Sequence, residues 1–319
     1  MCYSAQVVAD YKHYVQLFGA VIDIKTFYNT FWRRSQDAKV RIPKAMEDAF
    51  LDAQSGTERE IRELIEAWRI EQAIQFEQEL FKQKKRLADA ERTLLTKVTK
   101  TATESRRIAT DKMAWAMGKL ADLRRSEPLE RDRRIFPGWY APVMVWEDGR
   151  RVVKPMRYQC RPAGKPAFYD VKFPGTYNAR RDNLEGFWRP QFGRTHGVMV
   201  VNAFYENVAR HSAEHRELAP GEQPENLVLA FKPRPTQDML VACLWSRWTA
   251  PGEPDLLSFA AITDEPPEEV AAAGHDRCIV PIKAEHVDAW LNPDPKDLGA
   301  MYAILDDRQR PYYEHRMAA

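Results

Sequence analysis

The sequence predicts an α+β fold, and three observations carry that expectation. Residues 57–117 contain neither glycine nor proline and are rich in Glu, Lys, Arg, Gln, Ala and Leu, the residues that lose least on entering a helix. After Pro128 the texture changes to short β-branched and aromatic runs, separated by turn dipeptides such as Pro137-Gly138 and Pro174-Gly175. With 319 residues, 44% apolar and 29% charged, the chain is long enough to bury a sizeable core beneath such strands.

Residues 3 to about 55 read as helical. Tyr11, Tyr14, Val15 and Phe18 recur at helical spacing, as do Phe27, Tyr28, Phe31 and Trp32, with Gly19 and Pro43 as punctuation. Such aromatic density predicts a packed face. In residues 57–117 an apolar stripe runs through Ile61, Leu64, Ile65, Trp68, Ile74, Leu80, Phe81, Leu87, Leu94, Leu95 and Val98. That pattern fits one very long helix, or a helical hairpin turning within the Thr-rich segment 96–103. Thr57-Glu-Arg-Glu60 has the spacing of a capping box. Interleaved Glu and Lys/Arg give a solvated, coiled-coil-like arm, one that offers self-association or a protein partner. In the second half, residues 143–146, 198–201, 228–231, 239–245 and 257–263 read as strands, and 284–291 as a short helix. The segment from Lys296 onward is left unassigned.

Charge is nearly balanced, with 48 basic against 46 acidic residues, so a nucleic-acid surface has to arise from local clustering. No apolar run is long enough to span a bilayer, and the start lacks a secretory pattern. A cytoplasmic protein, without membrane attachment, is expected. The four cysteines, Cys2, Cys160, Cys243 and Cys278, form no CxxC pair. Reduced thiols are therefore expected, with no metal site and no cofactor.

Cys2 is chemically distinctive. Once Met1 is removed, the chain begins with a 1,2-aminothiol. Its amine condenses with an aldehyde to an imine, and its thiol closes a thiazolidine ring. An α-amine with a pKa of roughly 8 is already partly neutral at pH 7. Three distant blocks suit such a terminus: Asn178-Ala-Arg180, Phe204-Tyr-Glu206 and Gly274-His-Asp-Arg277. Asn178 and Arg180 alternate along one extended run, so both face the same side. An amide and a guanidinium there suit a phosphate or the amine of Cys2. His275 carries a group that titrates near neutrality.

Taken in order, Met1-Cys2, Pro155-Met-Arg-Tyr158, Tyr177-Asn-Ala-Arg180, Asn202-Ala-Phe-Tyr-Glu206, Ala242-Cys-Leu-Trp-Ser-Arg-Trp248, Ser258 to Pro266, His275-Asp-Arg277 and Trp290-Leu-Asn-Pro293 resemble the SOS-response-associated peptidase family. Its members shield abasic sites in single-stranded DNA. The resemblance implies a strand-rich, mixed-sheet, barrel-like core over residues 128–319. Residues 1–3 would supply that core's catalytic terminus, and residues 4–127 a helical insertion. It also implies autoproteolytic removal of Met1 and a covalent DNA–protein crosslink through Cys2. Glu206 and His275 would act as acid/base groups, assisted by Asn178. Arg180, Arg277 and Asn178 would hold phosphate, with Phe168 and Trp188 stacking on bases. The protein would associate with the nucleoid when bound to DNA. Where the family commonly has Gly-Arg after the cysteine, this chain has Tyr3-Ser4, and Asn207 and Tyr158 stand where tryptophans are usual. Two other readings use the same residues. One is a peptidase with Cys2 as nucleophile and His275 as base. The other is a non-enzymatic interaction protein working through the helical arm.

Overall fold

A computed structural model describes residues 3–214 and 216–318. The strands are β1 (Ser4–Val7), β2 (Val21–Ile22), β3 (Arg134–Ile135), β4 (Tyr140–Glu147), β5 (Arg150–Tyr158), β6 (Asn178–Arg180), β7 (His196–Ala209), β8 (Asn226–Arg234), β9 (Met239–Ala250), β10 (Glu253–Asp264), β11 (Cys278–Ile279), β12 (Pro281–Ile282) and β13 (Tyr312–Met317). The helices are α1 (Tyr11–Phe18), α2 (Ile24–Gln36), α3 (Lys44–Asp48), α4 (Gly56–Thr96), α5 (Lys100–Arg124), α6 (Tyr169–Lys172), α7 (Arg210–Ala213), α8 (Glu268–Ala272), α9 (Val287–Leu291) and α10 (Leu298–Asp306). The chain divides into two compact units. One comprises Met1–Ala53 with Glu130–Ala319, and the other Gln54–Leu129.

The first unit is built on one 13-stranded mixed sheet. Walking from β9 through β10, β5, β4 and β7 returns to β9, because β7 also pairs with β9. Those strands close a ring. The long strand β7 then leaves it. Its first half lies between β4 and β9, and its second half between β1 and β8. With β3 beyond β1 and β13 beyond β8, the result is a ring with open extensions and not a plain barrel.

Two expectations need correction here. Residues 4–7, read as helical, form β1, which pairs antiparallel with both β3 and β7. All four of its residues are buried, so no alternation betrays a strand. The helical reading holds for α1–α3. Asp10 caps α1 by accepting from the Lys12 amide at 2.9 Å, and Gly19 ends it in the left-handed region at φ 59°. Tyr11, Phe27, Phe31 and Phe50 pack together. Buried Tyr14 donates to the Pro142 carbonyl and accepts from the Val200 amide, tying α1 to β4 and β7. Val15 and Trp32 face outward.

The second unit is a helical hairpin. The break between α4 and α5 falls at residues 97–99, where Thr99 accepts from the Ala102 amide at 3.2 Å. Ala102, Ala109 and Ala116 are buried on α5, and their sevenfold spacing keeps them on one face. Gln83 and Ala90 are the corresponding buried positions midway along α4. The seam is bordered by Phe76 against Trp115, Arg86 to Ser105 and Glu77 to Arg124. The second correction concerns the start of α4. Its N-cap is Ser55, without a side-chain cap bond, and Thr57 already lies inside the helix, so the predicted capping box does not form. The unassigned C-terminal segment supplies α10 and β13.

Candidate active site

Glu206 sits on β7, where alternation puts it on the same face as Phe204 and opposite Tyr205. It is fully buried. A carboxylate in that setting needs a partner to offset lost hydration. His275 provides one, its Nε2 lying 3.2 Å from Glu206 Oε2. The turn after α8 delivers the imidazole. Gly274 takes φ 90° there, and a Cβ on it would lie 3.0 Å from the Ser212 Cβ. Glycine meets both demands.

The second ring nitrogen of His275, Nδ1, lies 2.8 Å from the Arg277 carbonyl. A contact that short to a carbonyl favours the tautomer with the proton on Nδ1, while the Arg277 amide, 3.3 Å from the same nitrogen, favours a lone pair there. With Nδ1 protonated, Nε2 faces a carboxylate oxygen as a second acceptor, and the pair is placed to share a proton. Burial pushes the imidazole below its ordinary value, and the bond to the Arg277 carbonyl pulls part of the way back.

Asn178 lies on β6, which pairs in parallel with the end of β10. Its amide is buried, and among the described residues neither Oδ1 nor Nδ2 has a hydrogen-bond partner. Leaving a buried amide unsatisfied costs about 1–3 kcal/mol. Arg180 is exposed and forms a two-point contact with Asp182, at 3.0 and 2.5 Å. That contact raises the guanidinium and lowers the carboxyl. Asp276 acts on Arg180, and Arg277 on Asp182, so these charges share one patch. Arg277 is nearly buried, and only a loose 3.9 Å contact links it to Asp276.

A family model described as SOS response associated peptidase (SRAP) matches residues 92–317. This chain belongs to that family. The family's link to the DNA-damage response extends to it in that coarse sense. The matched span excludes Cys2. No curated protein matches the chain. Among solved structures, a Bordetella bronchiseptica protein shares 15% identity at a TM-score of 0.46, covering 59% of this chain and 87% of its own. A Bacteroides thetaiotaomicron protein shares 12% at 0.45, covering 59% and 78%. A phage-related protein, also from Bordetella bronchiseptica, shares 18% at 0.43, covering 61% and 85%.

Within this SRAP chain, the residues singled out from the sequence fall into distinct places. Glu206 and His275 touch, and Arg180 and Arg277 share a patch. Cys2 lies outside the described residues. Phe168 is 64% exposed at the start of α6, whereas Trp188 is 3% exposed and has no face free for a base. Among the described residues, the other histidine that burial perturbs is structural. His196 Nε2 accepts from the Gly193 amide, and its Nδ1 donates to the Trp290 carbonyl. Burial pushes it down to about 3. Among the described residues no helix is long and apolar enough to cross a membrane.

One residue escaped the sequence reading. Arg134 of β3 donates from Nε to Ser4 Oγ at 3.0 Å. Its guanidinium carbon lies 3.8 Å from the Tyr205 ring centroid and 4.9 Å from that of Phe136. Burial lowers its pKa. No signal in a two-residue strand could have brought it beside Ser4, 130 positions away.

Proposed function

We propose that the mature chain begins at Cys2 and captures abasic sites in single-stranded DNA as a thiazolidine. The observation that carries this reading is the buried Glu206–His275 pair, whose Glu206 lies on β7 next to Tyr205, the residue that pairs with Ser4. In the sequence Cys2 stands two positions before Ser4. Family membership supports the same chemistry.

The steps balance as follows. An abasic deoxyribose is mostly a closed hemiacetal. The Glu206–His275 pair takes the anomeric hydroxyl proton and returns one to the ring oxygen, which frees the aldehyde. The α-amine of Cys2 adds to the C1′ carbon and passes one proton to the carbonyl oxygen; the resulting hydroxyl leaves as water on taking a proton from the pair, which recovers one from the nitrogen and leaves a neutral imine. The Cys2 sulfur then adds to the imine carbon while the nitrogen takes up the thiol proton, closing the ring. One water is lost overall. The unsatisfied amide of Asn178 orients the amine or the sugar. Arg277, Arg180 and Arg134 hold phosphates, with Arg180 exchanging Asp182 for the ligand. Phe168 stacks on a neighbouring base.

The test is a denaturing-gel assay with abasic, intact and double-stranded oligonucleotides. A slow-migrating, heat-stable band is expected with abasic single strands alone. Its absence, with cleavage appearing in a peptide panel, would favour the peptidase reading instead.

A further inference from the structure

The helical hairpin carries a second apolar stripe. Along α4, Ile74, Phe81, Ala88 and Leu95 follow one another at intervals of seven, and all are exposed. Phe81 is 68% exposed and Leu95 87%. Ile70 extends the stripe at one end, and exposed Val98 lies just past the helix at the other. At about 100° per residue, the stripe lies roughly 120–180° around the helix from Gln83. It is therefore on the face away from α5.

The stripe is complementary to itself in one orientation only. Two copies of α4 laid antiparallel about an axis between Lys84 and Lys85 bring Phe81 opposite Ala88 and Ile74 opposite Leu95. Large meets small at the centre, with Ile70 flanking the pair at each end. A parallel pairing would instead set Phe81 on Phe81 and Ala88 on Ala88. Side chains this exposed offer on the order of 100 Å² each. With Ala88 and the methylene stems of Lys84 and Lys85, a symmetric pair approaches the about 1,000 Å² that a specific interface needs. From this complementarity we infer that α4 is the surface by which two copies of the chain associate, antiparallel to one another. The inference is independent of the chemistry proposed for Cys2.

Light scattering and sedimentation equilibrium of the full chain test it. The parent is expected to be a dimer at micromolar concentration. Phe81→Glu should weaken association at least tenfold while leaving far-ultraviolet helicity unchanged, since Phe81 touches no part of the seam. Geometry is read with single cysteines on a Cys2→Ser background and a short thiol cross-linker. Lys85→Cys, beside the axis, should link two chains. Ala88→Cys, displaced from its own copy by about a helical turn or more on each side, should not. A parent that stays monomeric at all concentrations would overturn the proposal, leaving the stripe to some other partner. So would a Phe81→Glu variant that dimerises as the parent does, or efficient linking through Ala88→Cys, which would mean parallel packing.

Discussion

Replacing Glu206 by glutamine tests whether the buried pair works as one proton carrier. The side chain keeps its size. Its amide can donate to His275 Nε2 across the same 3.2 Å, with the imidazole still donating from Nδ1 to the Arg277 carbonyl. A hydrogen bond is preserved, so stability should change by no more than about 1 kcal/mol. The proton, however, is now fixed. The amide cannot release it, and Nε2 is occupied as an acceptor. Losing general acid/base help costs on the order of 10²–10⁴ in rate, or about 3–5.5 kcal/mol of barrier. His275→Ala removes the same shuttle from its other end. Because the two share one proton, Glu206→Gln, His275→Ala and the double variant should slow capture by similar factors. The assay is the single-turnover rate of crosslink formation on an abasic single strand, with binding measured separately on an intact one. Multiplying losses in the double variant would refute a shared proton. Parent-like rates in all three would refute the site.

Two further outcomes are expected. Arg277→Ala and Arg180→Ala should each weaken single-strand binding and reduce the salt slope by roughly 0.7 per lost phosphate contact. The smaller effect should come from Arg180, which Asp182 already neutralises in part. Burial holds His196 down at about 3, so below the ordinary histidine range the unfolded chain binds a proton that the folded chain does not. Its contribution is complete above about pH 6.5 and is lost as pH falls toward 3. Stability should drop over that window at up to about 1.4 kcal/mol per pH unit. A flat profile there would contradict neutral burial.

Legibility in the sequence followed range. The hairpin was readable because propensity and apolar spacing are local, and its turn falls inside the Thr-rich segment that suggested it. In the second half β4, β7, β8, β9 and β10 were readable from their runs and turn residues. β1 was not, because Ser4, Ala5, Gln6 and Val7 are all buried and show no period. Its partners also lie far away in the chain. Nor could spacing reveal that β7 closes a ring with β9, or that α1–α3 pack in the unit containing the sheet. Family resemblance, and not any pattern, pointed to Glu206 and His275 as acid/base groups; their contact is visible only in the structure. Burial decided Trp188, whose isolated ring in the sequence could equally have been exposed.

The most direct measurement is the intact mass of the protein before and after reaction with an abasic single-stranded oligonucleotide, alongside the Cys2→Ser variant. The free protein should be lighter than its translated sequence by one methionine residue. The adduct should equal that protein plus the oligonucleotide minus one water, and should survive heating. Serine closes the ring far less readily, so Cys2→Ser should give no lasting adduct. A parent that retains Met1 and yet crosslinks, or a Cys2→Ser adduct as stable as the parent's, would contradict capture through an N-terminal aminothiol.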